Sequence, residues 1–307
     1  MRFLALTVVV ASSALAQAPV PGFELERLAL NAGARETWLA STGDGLDALA
    51  VRVALLGHYQ HRPLVFTVDG QEAGAYVGSR WTAHVLGAVG ITDWLEASLS
   101  LPVVLSQSGD DLSAQGLSPV PAAALGAPWL SARGTFLRES KGHPLDLGLQ
   151  LAVSLPLGSS TALTKDPGAG LAFAPRLGLG RALGPVRLGA ELGALVRGAQ
   201  VLSPASPQVG DEVGSAFTGA AVVSSVGLPV HLELAARVEA PFTRSLAAVE
   251  VLAAVRYRVL EQLELSVLGG PGFGGAPGTP AFRVLAGLAW TPRFGDAPAA
   301  ASSTSER

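Results

Sequence analysis

Apolar and polar residues alternate along much of this chain with a period of two. From 145 to 157 the odd positions read Leu145, Leu147, Leu149, Leu151, Val153, Leu155 and Leu157, and the even ones Asp146, Gly148, Gln150, Ala152, Ser154 and Pro156. A helix would scatter those apolar residues around its circumference, whereas a strand places them on one face. The same alternation runs through 95–105, 186–197 and 230–239. Weaker versions recur elsewhere, so the pattern predicts strands at 49–59, 75–90, 94–105, 129–138, 145–157, 171–183, 186–196, 216–228, 230–240, 246–259, 263–270 and 281–294. The segment 63–69 (PLVFTVD) is assigned to an extended loop, because single-chain bacterial barrels have even strand numbers.

Twelve strands with this patterning predict an all-β fold, a transmembrane antiparallel up-and-down β-barrel, with fourteen strands as the alternative. No segment after residue 18 supplies the roughly 20 apolar residues of a membrane helix, yet mean hydropathy is +0.40. A barrel reconciles the two, since its strands need about 10 residues each and turn every second side chain to lipid. The predicted connections alternate in length: short near 91–93, 139–144, 184–185, 229 and 260–262; longer at 60–74, 106–128, 158–170, 197–215 and 271–280, with 241–245 an exception. That alternation puts both chain ends at the periplasmic side. A soluble β-sandwich, with one wet face, is the competing fold.

Parity then sorts the side chains. Facing lipid near the outer ends lie Tyr59, Trp81, Phe173, Phe217 and Phe282, and near the periplasmic ends Phe136, Tyr257, Trp290 and Phe294. Two such rows are the aromatic girdles expected at the membrane interfaces; Trp94 and Trp129 fall off this parity. The opposite face collects the charges Arg52, Arg80, His84, Glu96, Arg133, Asp146, Arg176, Arg187, Glu191, Glu233, Arg237, Glu239, Glu250, Arg256, Arg258, Glu264 and Arg283. They are predicted to line the lumen, since Arg at mid-bilayer costs about 2–4 kcal/mol. Register across the 260–262 turn places Arg258 opposite Glu264 as a cross-strand pair.

The chain has 307 residues, 15% of them charged, and a formal net charge of −3. There is no basic excess for nucleic acid. No cysteine is present, which removes disulfides, thiolate metal sites and cysteine nucleophiles. Ile91 is the only isoleucine and Asn31 the only asparagine, so part of the composition reflects codon bias. At the N-terminus, Met1 and Arg2 precede an apolar run ending in Ala14-Leu15-Ala16, which has the form of a secretory signal peptide cleaved after Ala16. The expected organisation is residues 1–16 signal peptide, 17–48 a periplasmic or plug segment, 49–294 barrel and 295–307 a disordered tail. Within the second segment GFELERLAL reads as a short helix or edge strand and STGDGL as the turn into the first strand.

Few residues suggest chemistry. His84 and Ser100 could face each other on adjacent strands with Glu96 alongside, but no nucleophile-elbow pattern surrounds the serine. His58, His61, His143 and His231 show no metal-ligand spacing. Asp110 and Asp111 read as a solvated loop pair rather than a calcium loop. Gly178, Gly180 and Gly184 lack dinucleotide-fingerprint spacing and more simply relieve crowding on a wall. No catalytic residue, cofactor or metal is predicted.

The stretches GFELERLALNAG, STGDGL, HYQHRPLVF, GITDWLEASLSLPVVLSQSGDDL and GAPWLSARGTFL resemble the N-terminal barrel module of outer-membrane protein A family proteins. They are also similar to transporter-like barrels associated with aromatic-compound uptake. The resemblance covers most of 22–294 and implies a barrel but no substrate. In the longer relatives a peptidoglycan-binding domain follows; here the sequence runs 13 residues past Phe294, so that role is not expected. The predicted function is a passive channel or uptake route for small solutes, set in outer-membrane lipid and delivered by the barrel-insertion machinery. A closed structural or surface-interaction barrel is the alternative, and an outer-membrane hydrolase relying on His84 a third.

Overall fold

A computed structural model of the chain describes residues 17–33, 37–68, 70–202, 211–243 and 246–292. The predicted signal peptide, Phe294 and the C-terminal tail lie outside these. Twelve long strands form the wall: β1 (Val51–Val68), β2 (Gln71–Gly90), β3 (Leu95–Ser108), β5 (Trp129–Leu137), β6 (Asp146–Ser154), β7 (Ala172–Leu183), β8 (Val186–Arg197), β11 (Ala216–Ser225), β12 (Val230–Pro241), β13 (Ala248–Leu260), β14 (Leu263–Phe273) and β15 (Phe282–Trp290). Each pairs antiparallel with its neighbours in sequence, and β1 pairs with both β2 and β15, which closes the barrel. Closure leaves no unpaired edge, the condition for strands to sit in hydrocarbon. Three two-residue strands, β4 (Ala124–Leu125), β9 (Gln200–Val201) and β10 (Glu212–Val213), lie in the longer loops.

Side-chain burial follows the parity. On β6, Asp146, Gly148, Gln150, Ala152 and Ser154 are buried, whereas Leu151 and Val153 are exposed. Large apolar side chains stay exposed around the whole wall, from Leu55 and Val85 through Leu192 and Leu234 to Val267 and Leu288. A belt of that extent is incompatible with water. Tyr59, Trp81 and Phe282 pack together, with ring centroids 4.8 and 5.9 Å from the tyrosine. Phe173, Phe217, Phe136, Tyr257 and Trp290 are all exposed on outward positions.

Two expectations are corrected here. The segment 63–69 is not a loop: Leu64 to Val68 pair with Gln71 to Val77, carrying the β1–β2 hairpin well beyond its neighbours. A register shift falls between His61 and Leu64, and Arg62 has φ +53°. Pro63 therefore sits in a bulge, where its missing N–H breaks no ladder. Arg258 does not line the interior: it faces solvent at the short-turn end, beside the irregularity between Arg258 and Leu260. It does stand in register with Glu264, but Glu264 bonds Arg52 at 2.9 Å and Arg256 at 3.6 Å.

Candidate functional site: the strap and the barrel interior

Residues 17–33 and 37–50 run through the interior from the long-loop end to the short-turn end, as an irregular strap rather than a helix or edge strand. At the long-loop end Ala18 bonds Gly116 and Ser118, and Leu25 N–H donates to Leu163 at 3.0 Å. At the other end Leu49 N–H donates to Gly90 O at 2.7 Å, just before β1 begins. The strap does not continue any sheet, so its backbone must find partners on the wall. Carboxylates supply them. Glu233 accepts from the N–H groups of Trp38 and Leu39, each at 3.0 Å. Glu191 accepts from Ser41 at 2.8 Å and Glu96 from Leu46 at 2.9 Å. Arg133 donates to Asp44 O at 3.0 Å and also bonds Asn31.

Glycines make the room. A Cβ on Gly178 would lie 2.5 Å from Ser41 O, on Gly180 2.6 Å from Thr42 O, and on Gly189 2.4 Å from Thr42 Cγ2. The glycines of β7 and β8 thus form a slot for 41–43, so STGDGL is a docking segment, and the turn into β1 falls at 47–50. Apolar contacts add to this. Leu28, Trp38, Leu39 and Leu46 pack on the inward leucines Leu56, Leu86, Leu252, Leu268 and Leu285, each such burial worth about 1.5–3 kcal/mol. A second cluster, Val20, Phe23 and Leu25 against Leu64, Tyr76, Val77, Leu112 and Leu163, closes the long-loop end.

The predicted interior charges are nearly all buried in ion pairs. Arg187 bonds Asp146 at 2.5 Å, Arg283 bonds Glu250 at 2.5 Å and Glu26 at 2.9 Å, and Arg237 meets Glu250 at 3.6 Å. Arg133 lies 3.5 Å from Glu96, Arg176 3.9 Å from Glu191 and Arg80 3.9 Å from Glu24. Arg27 and Arg197 share Glu239, and Arg197 also reaches Asp166 of the 155–171 loop at 3.3 Å. Burial pushes the Glu24 carboxyl up to about 7, with Arg80 opposing and Asp166 and Glu26 adding.

Beside the strap remains a cavity of about 110 Å³ lined by both charged and apolar groups, among them Arg176, Arg237, Glu191, Glu239, Ser100, Trp129 and His84. That is several times the 10–15 Å³ or so that one water needs. The off-parity Trp129 is thereby accounted for: it faces this cavity. His84 stands opposite Pro102 in the ladder, and its Nε2 lies 3.2 Å from His58 Nδ1 rather than on a serine. Glu96 is engaged by the strap and Arg133, so the Ser–His–Glu grouping of the third reading is not assembled. Asp110 and Asp111 accept from Ala75 and Ser113, closing their loop.

Sequence reasoning missed the convergence of Glu26, His58 and His84. It also missed the strap's apolar seat, although in the unbroken apolar run Val53, Ala54, Leu55 and Leu56 the inward positions Ala54 and Leu56 are apolar as well as the outward ones.

No family model and no curated protein matches the chain. Among solved structures it is similar to an outer-membrane channel from Pseudomonas putida (TM-score 0.55, 13% identity, 81% of this chain and 98% of that one). It is also similar to the KdgM porin (TM-score 0.50, 7% identity, 78% and 99%), and to KdgM in complex with disordered oligogalacturonate (0.50, 8%). The fold is therefore that of an outer-membrane β-barrel of twelve strands. The resemblance to outer-membrane protein A family modules is not shown by these likenesses.

Proposed function

We propose that the protein is a passive channel or uptake route for small solutes in an outer membrane, with residues 17–50 as its plug. The observation carrying this reading is the cavity of mixed charged and apolar lining beside a strap held by hydrogen bonds, ion pairs and apolar contacts rather than built into the wall. On release the strap's amides exchange these acceptors for water, each hydrogen bond to a charged group contributing about 1.5–3 kcal/mol. The solved structures with this fold, by their names, are a channel and a porin, which supports the reading. Residues 1–16 would direct export and be cleaved, lipid would cover the exposed apolar belt, and insertion machinery would place the barrel with its long loops outward.

A second reading, a closed structural barrel, is favoured by how completely the strap occupies the short-turn end. Single-channel conductance in planar bilayers separates the two, comparing the mature chain with one lacking 17–48. Stable unitary steps after deletion, with rare steps before it, support the plugged channel. Silence in both, with insertion verified, leaves the structural barrel.

A further inference from the structure

Glu26 of the strap meets His58 of β1 and His84 of β2 at the inner wall. His58 Nδ1 lies 3.2 Å from His84 Nε2 and 3.2 Å from Glu26 Oε2, and all three ligand atoms fall within 4.8 Å of one another. Around a tetrahedral zinc ion with bonds of about 2.0–2.1 Å, ligand atoms stand about 3.3 Å apart. The two short separations are therefore those of atoms sharing one ion.

Hydrogen bonding fills this cluster incompletely. His58 Nδ1 carries at most one proton, which cannot serve both His84 Nε2 and Glu26 Oε2, so one of these two buried acceptors goes without it. The other Glu26 oxygen is occupied, accepting from Arg283 at 2.9 Å and from Leu28 N–H at 2.8 Å. Arg283 is itself anchored on Glu250. The carboxylate is thus oriented by outer partners so that its second oxygen faces two imidazoles, an arrangement typical of metal ligands. A metal would take all three lone pairs. It would place the His58 proton on Nε2, giving up the 3.4 Å contact from Arg283 Nη1, the longest that guanidinium makes. Glu26 and His84 also line the interior cavity, which has room for a water as fourth ligand.

We propose that Glu26, His58 and His84 form a site for a divalent transition-metal ion of the zinc type, bridging strap and wall. Two imidazoles and one carboxylate suit zinc or cobalt rather than calcium or magnesium, which prefer all-oxygen sets.

The test uses the folded mature protein, stripped of metal by chelator, titrated with Co²⁺ and then Zn²⁺. The expected result is a visible cobalt absorption band saturating at one equivalent, displaced by zinc, and lost in both His84→Ala and Glu26→Gln. Folding of each variant is checked by its heat-dependent gel mobility, and His143→Ala, in a turn, should bind like the unsubstituted protein. Because Glu26 lies on the strap, zinc at 100 times its Kd should slow proteolysis of the released strap by up to ~100-fold, an effect Glu26→Gln loses. No saturable band, or equal binding in folded His84→Ala, would overturn the site and leave the trio a hydrogen-bonded relay. None of these readouts depends on conduction, so they stand or fall apart from the channel reading.

Discussion

Glu233 tests the strap's attachment at one point. Its two carboxylate oxygens accept the N–H groups of Trp38 and Leu39, each at 3.0 Å, and the Trp38 ring lies under the Arg52 guanidinium at 4.9 Å. Glu233→Leu keeps the side-chain bulk and removes both acceptors. Hydrogen bonds to a charged group are worth about 1.5–3 kcal/mol each, and their buried donors would be left unpaired. Losing two therefore destabilises docking by about 3–6 kcal/mol, the lower figure applying where cavity water reaches the freed amides. At about 1.4 kcal/mol per tenfold, the released population should rise by roughly two to four powers of ten. Open probability in planar bilayers and proteinase cleavage within the strap both report that population. The outward face is untouched, so folding and insertion should persist. If a folded Glu233→Leu protein opens and is cleaved no more often than the unsubstituted one, the strap is not held as the hydrogen bonds indicate.

Further outcomes follow from other contacts. Burial holds the Glu24 carboxyl at about 7 against its ordinary 4.5, so the docked strap retains a proton that a released strap loses. Through this group docking should weaken as pH rises from about 4.5 to about 7, by up to tenfold per unit. Open probability at pH 5, 6 and 7 should show this slope, and Glu24→Gln should reduce it. Gly178→Val places carbon against Ser41 O, 2.5 Å from the built Cβ, so it should expel 41–43 and raise strap cleavage while the barrel keeps its heat-dependent gel mobility. Leu234 lies mid-strand and 51% exposed, so Leu234→Arg should lower stability by about 2–4 kcal/mol in urea titrations of vesicle-embedded protein. No change there would mean that face is not in lipid.

The wall was legible because strand alternation is local: each of the twelve segments carries its own period of two, and the predicted ends fall within a few residues of those observed, apart from the β1–β2 hairpin. That hairpin was misread because the even strand number of barrels excludes 63–69 as a strand of its own but not as a continuation of β1, and the φ of Arg62 that builds the bulge has no sequence mark. The register of Arg258 and Glu264 was likewise readable, whereas the irregularity that turns Arg258 outward was not. The strap's path was hidden for a different reason. It has no periodicity, and its partners lie far along the chain, as with Ser41 and Glu191 or Trp38 and Glu233. Gly178 and Gly180 marked a crowded wall, but not what crowds it. His58 and His84 became neighbours only through the β1–β2 ladder, and Glu26 only through the strap.

The central claim, that the strap lies inside the barrel and governs passage, can be tested with one cross-link. The chain has no cysteine, and a Cβ on Gly189 would stand 3.3 Å from Thr42 Cβ, near the 3.5–4.5 Å or so of natural disulfides. Replacing Thr42 also removes the Cγ2 that would obstruct it. Thr42→Cys and Gly189→Cys, introduced together in the Glu233→Leu background, should form a disulfide on oxidation. Conductance should then fall silent and return on reduction. Failure of the bond to form in the inserted protein, or equal conductance in the oxidised and reduced states, would contradict the account.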